Sequence, residues 1–476
     1  MVIIFSMNVG ILLFIGLLPG LLHGRVIHVQ AGVDPEGVQE GVDWDTSTYF
    51  HRALQLSGPG DQIWLKAGLY SPLEGHDPFN GPPPYFVIPP EVGVFGGFTG
   101  DETELSERSL GENDRSILTG DFDGDDEVDP DTGITLTPHG IKGRNANLLV
   151  GILGGGRATV LDGVTLTAVK RARCCSGFDT ALSINRGSPT IRNCSFIGND
   201  GAYAGAIFLD ESPEAVIANC LFADNEGEDA AGAIDVNLSS PLIVNCTFRG
   251  NEVDGDQTAL AFSPGGSGIV ANCIFAAEVP SGLNFVDRTR MILSNSNFSP
   301  ILIGNLIQGE LTQSFESGRL FDGGANDDVS PRFITGTNQL RADSPAIDHG
   351  WLQFLPPDSS DLDGDGDRLE GLPADQAGRS YELRAFVNRR CDAGCFQYDW
   401  FDADSDLDGF LDSFERQVTG NALNLYIPRV TDLSLGGEGV FFEFEYFLDL
   451  RDDTDFVFEA ASALSGPWTD VDGKRI

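Results

Sequence analysis

SPTIRNCSFIGN (188–199), SPEAVIANCLFADN (212–225), SPLIVNCTFRGN (240–251) and SGIVANCIFAAE (267–278) are four versions of one phrase. Their Asn-Cys pairs, at 193/194, 219/220, 245/246 and 272/273, are spaced by 26, 26 and 27 residues. A weaker fifth version is MILSNSNFS (291–299). A second column alternates with the first: TALSIN (180–185), GAIFLD (205–210), GAIDVN (232–237), TALAFS (258–263) and GLNFV (282–286). These runs are short, rich in β-formers and broken by Gly, Asn, Asp and Pro, with no 3.6-residue period. Units of two or three such strands stacked in register are coils of a parallel β-helix, whose equivalent residues ladder about 4.8 Å apart.

The residue chemistry suits that stack. Phe196, Phe222, Phe248, Phe275 and Phe298 form an expected interior aromatic column beside the Cys column. Asn193, Asn219, Asn245, Asn272 and Asn295 are expected at a bend between strands, where Asn tolerates positive φ and its amide bonds the Asn above and below. In the second column Leu182, Ile207, Ile234, Leu260 and Leu283 point inward, followed by Ile184, Leu209, Val236, Phe262 and Phe285. ATVLDGVTL (158–166) reads as the first coil, and VKRARCCSGFD (169–179) as a loop leaving the stack.

Across 476 residues, 29 Lys+Arg face 72 Asp+Glu, a net charge of −43, and only four of the cations are lysines. Nucleic acid is thereby disfavoured as a partner, because each phosphate contact needs a cation. The same balance opposes metal-free binding of an acidic polymer, although bridging calcium would reverse that. Residues 1–22 are almost wholly apolar, and Ile11–Leu22 has the length of a secretory h-region. Export with removal of residues 1–24 is expected, and membrane contact only through that segment where it stays uncleaved. No Lys or Arg precedes the apolar run, a departure from the usual signal pattern. Export permits disulfides, for which Cys174-Cys175 and Cys391/Cys395 are better placed than the laddered cysteines. No paired CxxC or Cys/His spacing points to zinc.

With these features in place, the chain resembles exported bacterial right-handed parallel β-helix proteins, related in fold to pectate lyases, that carry a choice-of-anchor Q type segment. The N-terminal match comprises VIHVQAG (26–32), GVDWDTSTYFHRAL (41–54), GDQIWLKAGLYSP (60–72), FVIPPEVGVFGGFTGDETELSER (86–108) and SILTGDFDGDD (116–126). The resemblance implies a strand–helix–strand cap over the open end of the cylinder. The C-terminal match comprises LRADSPAIDHG (340–350), DLDGDGDR (361–368) and CDAGCFQY (391–398), where Cys395 and Gln397 stand in place of the usual Ala and Glu. The expected fold is all-β: a right-handed single-stranded parallel β-helix with an N-terminal cap, plus a small C-terminal antiparallel β module. Expected divisions are 1–24 signal peptide, 25–147 cap and acidic loop, 148–340 coils and 341–400 choice-of-anchor Q type segment. A calcium-binding loop (401–420) and a small β-sandwich-like module (421–476) complete the chain. In that module, VFFEFEYF and FVFEA alternate as antiparallel strands do.

Asp404-Ser-Asp406-Leu-Asp408-Gly-Phe410-Leu-Asp412-Ser-Phe-Glu415 has the spacing of a twelve-residue calcium loop. Alternate carboxylates converge as the loop wraps, Gly409 turns the chain, Phe410 offers its carbonyl, and Glu415 closes the site bidentately. With no upstream helix evident, it resembles a thrombospondin type 3 or dockerin-like loop. Asp361/Asp363/Asp365/Asp367 shows the alternation without an acid at the twelfth position from Asp361. Asp121/Asp123/Asp125/Asp126 with Asp129/Asp131 is a third acidic run. Each is readable as a calcium site or, the favoured reading, as a solvated loop.

Enzymes of the resembled fold do their chemistry along one outer strand face. The outward columns here read Ser183, Phe208, Asp235, Ala261, Asn284 and Asn185, Asp210, Asn237, Ser263. Asp210 and Asp235 are the carboxylates on adjacent coils and the candidate catalytic pair. No base repeats beside them, Arg186, Arg192, Lys170, Arg171 and Arg173 being the nearest cations in sequence, and none of the six His falls within a repeat. The expected function is a non-catalytic cell-surface or secreted protein that binds polysaccharide or a cell-envelope or matrix partner, with calcium fixing its C-terminal part. The alternative is a calcium-dependent, pectate-like polysaccharide lyase, with a hydrolase ranked third.

Overall fold

The computed structural model describes residues 24–34, 39–74, 84–111, 114–172, 179–253, 258–276, 290–294, 300–308, 310–313, 321–322, 324–334, 337–341, 343–379, 381, 390–398, 429–436 and 439–445. The chain divides into two units, 1–399 and 400–476.

The first unit is a right-handed parallel β-helix built of three long sheets. Sheet A has ten strands and runs from Val26–Val29 through Thr190–Arg192, Val216–Ala218, Leu242–Val244 and Ile269–Ala271 to Phe321–Asp322. Sheet B has eight, among them Ser195–Ile197, Leu221–Ala223, Thr247–Arg249 and Ile274–Ala276. Sheet C also has eight, among them Thr180–Asn185, Ile207–Asp210, Ile234–Asn237 and Leu260–Phe262. Equivalent residues pair directly: Phe196 with Phe222, Phe222 with Phe248, and Phe248 with Phe275. Their rings stack at 5.0, 4.8 and 4.5 Å and lie within 9° of parallel. The Cys column lies beside them, fully buried and unpaired, with each thiol against a carbonyl of the same bend.

The stack begins earlier than residue 158. Val26–Val29, Gln62–Lys66 and Gly93–Phe98 precede Val160–Asp162 in sheet A, so the N-terminal region supplies coils as well as a cap. These strands carry no Asn-Cys bend, which left them unmarked by the repeat. The helix Phe50–Leu56 turns Phe50, Ala53 and Leu54 into the same core as Ile27, Tyr70 and Phe86 and closes that end. The last coils also differ from expectation. Ile301–Ile303 and Leu306–Ile307 continue sheets A and B, with Ile307 opposite Phe275, while Ile292, not Leu283, stands opposite Leu260. MILS (291–294) is thus a sheet C strand, and Leu283, Phe285, Asn295 and Phe298 lie outside the described residues.

Asn193, Asn219, Asn245 and Asn272 all have φ between 51° and 54°, as their place at the A–B bend demands. Their amides bond Asn219 to Asn193 (3.3 Å) and Asn272 to Asn245 (2.9 Å). Between Asn219 and Asn245 the ladder is interrupted. The Tyr381 hydroxyl donates to Asn219 Oδ1 (3.0 Å) and accepts from Asn245 Nδ2 (3.1 Å). A strap formed by residues 344–379, 381 and 390–398 lies over this bend. Ala374 O accepts from Asn219, Trp351 N donates to Asn272 Oδ1, and Gly394 N donates to Asn272 O. Cys391 and Cys395 belong to the strap and are buried without a disulfide bond, which corrects their reading as a disulfide. The Cys391 sulfur instead accepts from the amides of Asn245 and Asn272 (3.7 Å each), and burial pushes the Cys395 thiol up to about 12.

A second asparagine ladder runs at the B–C bend. Asn199 Nδ2 donates to Asn225 Oδ1 and Asn225 Nδ2 to Asn251 Oδ1, each at 2.9 Å. In the second unit, Arg429–Gly436 and Gly439–Glu445 form an antiparallel hairpin with Arg429 opposite Glu445, as the alternation predicts.

Candidate functional site

Asp210 and Asp235 lie on neighbouring strands of sheet C, but in different columns: Asp235 pairs with Phe208, and Asp210 with Asn237. Side chains alternate along a strand, so 208, 210, 235 and 237 share one face. That face is largely closed. Ser183, Phe208, Asp235 and Ala261 are 7%, 8%, 1% and 2% exposed, and the Tyr203 ring stacks on Phe208 at 5.2 Å. Burial pushes the Asp235 carboxyl up to about 7; Ser263 opposes the rise through a hydroxyl bond of 2.5 Å, and the charge of Asp210 adds to it. Asp210 sits between two amides and accepts from Asn185 Nδ2 (3.1 Å) and Asn237 Nδ2 (2.8 Å).

The cations named from sequence are engaged elsewhere. Arg192 is fully buried, its Nε 2.5 Å from Asp162 Oδ2. Arg186 pairs with Glu211 at 2.6 Å, and the Lys170 ammonium donates to the Gly143 carbonyl. Arg171 bridges Asp200 (3.2 Å) and Glu226 (3.4 Å), and Arg173 lies outside the described residues.

Those two acids belong to a site the outward-column reading missed. Asp200, Glu226 and Glu252 pair in register in a three-stranded sheet beyond the second asparagine ladder. Burial pushes the Asp200 carboxyl up to about 6, with Glu226 and Glu228 adding to the rise and Arg171 opposing it; Glu252 is also raised. The signal was present, since an acid follows Asn199, Asn225 and Asn251 at the same 26-residue spacing.

A concavity lies on the outer face of sheet B. This cleft of about 550 Å³ is lined by Arg115, Asp129, Thr165, Asn338, Gln376 and Phe396 among others. Gln376 is 7% exposed; its Nε2 donates to Ser195 Oγ (2.8 Å), while its buried Oε1 has no hydrogen-bond donor. The lining mixes amides, hydroxyls, Arg115 with Asp114 and Asp129, and aliphatic or aromatic surface. Such a lining suits a ligand carrying many hydroxyls on an apolar ring.

Among the described residues, three sets of carboxylates converge so that one oxygen from each lies within 4.8 Å of the others: Asp121/Asp125/Asp126, Asp358/Asp363/Glu370 and Asp361/Asp363/Asp365. These acidic clusters are compatible with divalent cations. They fall on the two acidic runs that sequence left open, whereas Asp404, Asp406, Asp408, Phe410, Asp412 and Glu415 lie outside the described residues.

A family model described as right handed β-helix region matches residues 146–299. No curated protein matches the chain. Among solved structures, "Crystal structure of pectate lyase Pel9A" is similar at 14% identity, covering 80% of this chain and 98% of that one with a TM-score of 0.33.

Proposed function

We propose that this chain is a non-catalytic glycan- or matrix-binding protein of the cell surface or medium, which takes saccharide in the cleft over sheet B. The observation that carries this reading is the cleft's polar and apolar lining around the buried, donor-less Oε1 of Gln376, where a ligand hydroxyl would donate. Export rests on the apolar N-terminal segment. The strap corresponds to the choice-of-anchor Q type segment, and Asp404–Glu415 is the proposed calcium loop that stiffens the junction to the C-terminal module. With a net charge of −43, an acidic polymer would need calcium as a bridge.

Titration of the full chain with neutral and uronate oligosaccharides, followed by calorimetry, tests the proposal. Binding that falls at least tenfold in Gln376→Leu is the expected result, with far-ultraviolet dichroism unchanged. Saturable binding that is equal in the two proteins would remove the cleft from consideration.

A calcium-dependent, pectate-like lyase is the second reading. One observation favours it: Asp235, held near neutrality beside Asp210, has the titration of a general acid or base. Release of ultraviolet-absorbing unsaturated ends from polygalacturonate with calcium, lost in Asp235→Asn, would establish the lyase and overturn the binding protein.

A further inference from the structure

Residues 358–370 hold six acids and one cation, and they leave the strap as a loop whose ends are joined. Asp358 N donates to Glu370 O at 2.8 Å, and Pro357 bridges Gly371. Inside the loop, backbone N–H groups satisfy part of the carboxylate set. Leu362 N donates to Asp358 Oδ2 (2.6 Å), Gly366 N to Asp361 Oδ1 (3.0 Å) and Asp365 N to Asp363 Oδ1 (3.2 Å). Such turns are ordinary in acidic loops and by themselves point to nothing.

Two buried oxygens are not ordinary. Asp358 is 0% exposed and its Oδ1 has no hydrogen-bond donor, and the buried Oε1 of Glu370 has none either. Arg192 faces that oxygen with Nη1 at 3.7 Å, beyond hydrogen-bond reach, while its Nε is bonded to Asp162. A buried carboxylate oxygen without a donor is strongly unfavourable unless positive charge faces it. These residues, together with Asp363, bring one oxygen each within 4.8 Å of the others, and Asp363 is shared with the adjoining Asp361/Asp365 set.

We propose that Asp358, Asp363 and Glu370 bind one divalent cation, with Asp361 and Asp365 completing the oxygen shell. A hard, all-oxygen set of this size suits calcium better than magnesium, which demands a tighter octahedron and keeps its waters. The closing acid is Glu370, which a count from Asp361 passes over because the first buried ligand is Asp358. Through Asp358 the ion connects the loop to Arg192 and Asp162, so it locks the strap to the β-helix. The site shares no residue with the glycan cleft.

The test uses the full chain, freed of metal by chelation, in a D406N/E415Q background that removes the other calcium loop. Calcium titrated by calorimetry is expected to lose one site when D363N and E370Q are added to this background. Trypsin cleavage after exposed Arg368 is expected to slow at least tenfold with calcium only where Asp363 and Glu370 are intact. The single variant D363N alters an exposed side chain, so its fold is safe; it should weaken calcium at least tenfold. Unchanged stoichiometry and unchanged cleavage at Arg368 in D363N/E370Q would overturn the proposal, whatever the behaviour of the glycan cleft or of the D406N/E415Q pair.

Discussion

Asp235 shows how one side chain couples burial to pH. Its carboxyl is held near 7 in the folded chain and returns to an ordinary value of about 4 on unfolding. Between those values the native state keeps a proton that the unfolded chain has lost, so stability falls as pH rises and levels off above about 7. Asp235→Asn removes that dependence. The variant should gain on the parent by about 1.4 kcal/mol per pH unit between pH 4 and 7, measured by urea unfolding at each pH. A constant difference across that range would mean that Asp235 is already ionised in the fold. The same residue marks a limit of reading by column. Alternation placed Asp210 and Asp235 on one face correctly, but it could not reveal that this face is closed or that amides hold Asp210 from both sides.

Among the elements, the ladders carry the stack. Phe248 is packed between Phe222 and Phe275, so Phe248→Ala should cost about 3–5 kcal/mol in denaturant unfolding, as a large core truncation does. The second asparagine ladder is held differently. Asn225 accepts from the backbone and side chain of Asn199 and donates to Phe196 O and Asn251 Oδ1. Asn225→Ala therefore strands several buried polar groups, each worth about 1–3 kcal/mol. We expect this variant to be at least as destabilised as Phe248→Ala; a loss under about 1 kcal/mol would show that the ladder contributes little. Both ladders recur every 26 or 27 residues, yet only the one beside Cys stands out by eye. Val26–Val29 and Gln62–Lys66 stack equally well without a motif, because an inward apolar residue is all that an interior position requires.

For the molecule as a whole, the strap is the element that most alters the expected picture. A bare Asn ladder presents an open edge, whereas here the strap covers it and Tyr381 completes its hydrogen bonding. Tyr381→Phe should lower the unfolding midpoint by the equivalent of about 1–3 kcal/mol. It should also speed hydrogen exchange at strap amides, such as Leu372 N and Tyr381 N, before the coil amides respond. Equal exchange in variant and parent would show that the hydroxyl does not hold the strap.

The chain's own order of residues determined the coil, because a period of 26 with Phe, Cys and Asn in fixed columns has a single economical packing: each residue upon its own kind. Local chemistry was sufficient there, since neighbours in a ladder repeat one another. What lies between distant segments was decided only by the tertiary structure. Tyr381 meets Asn219 across 162 residues, Gln376 meets Ser195 across 181, and Asp358 faces Arg192 across the strap contact. Those encounters depend on how a non-repeating segment folds back onto a repeating one, and no spacing within either records where the two will touch.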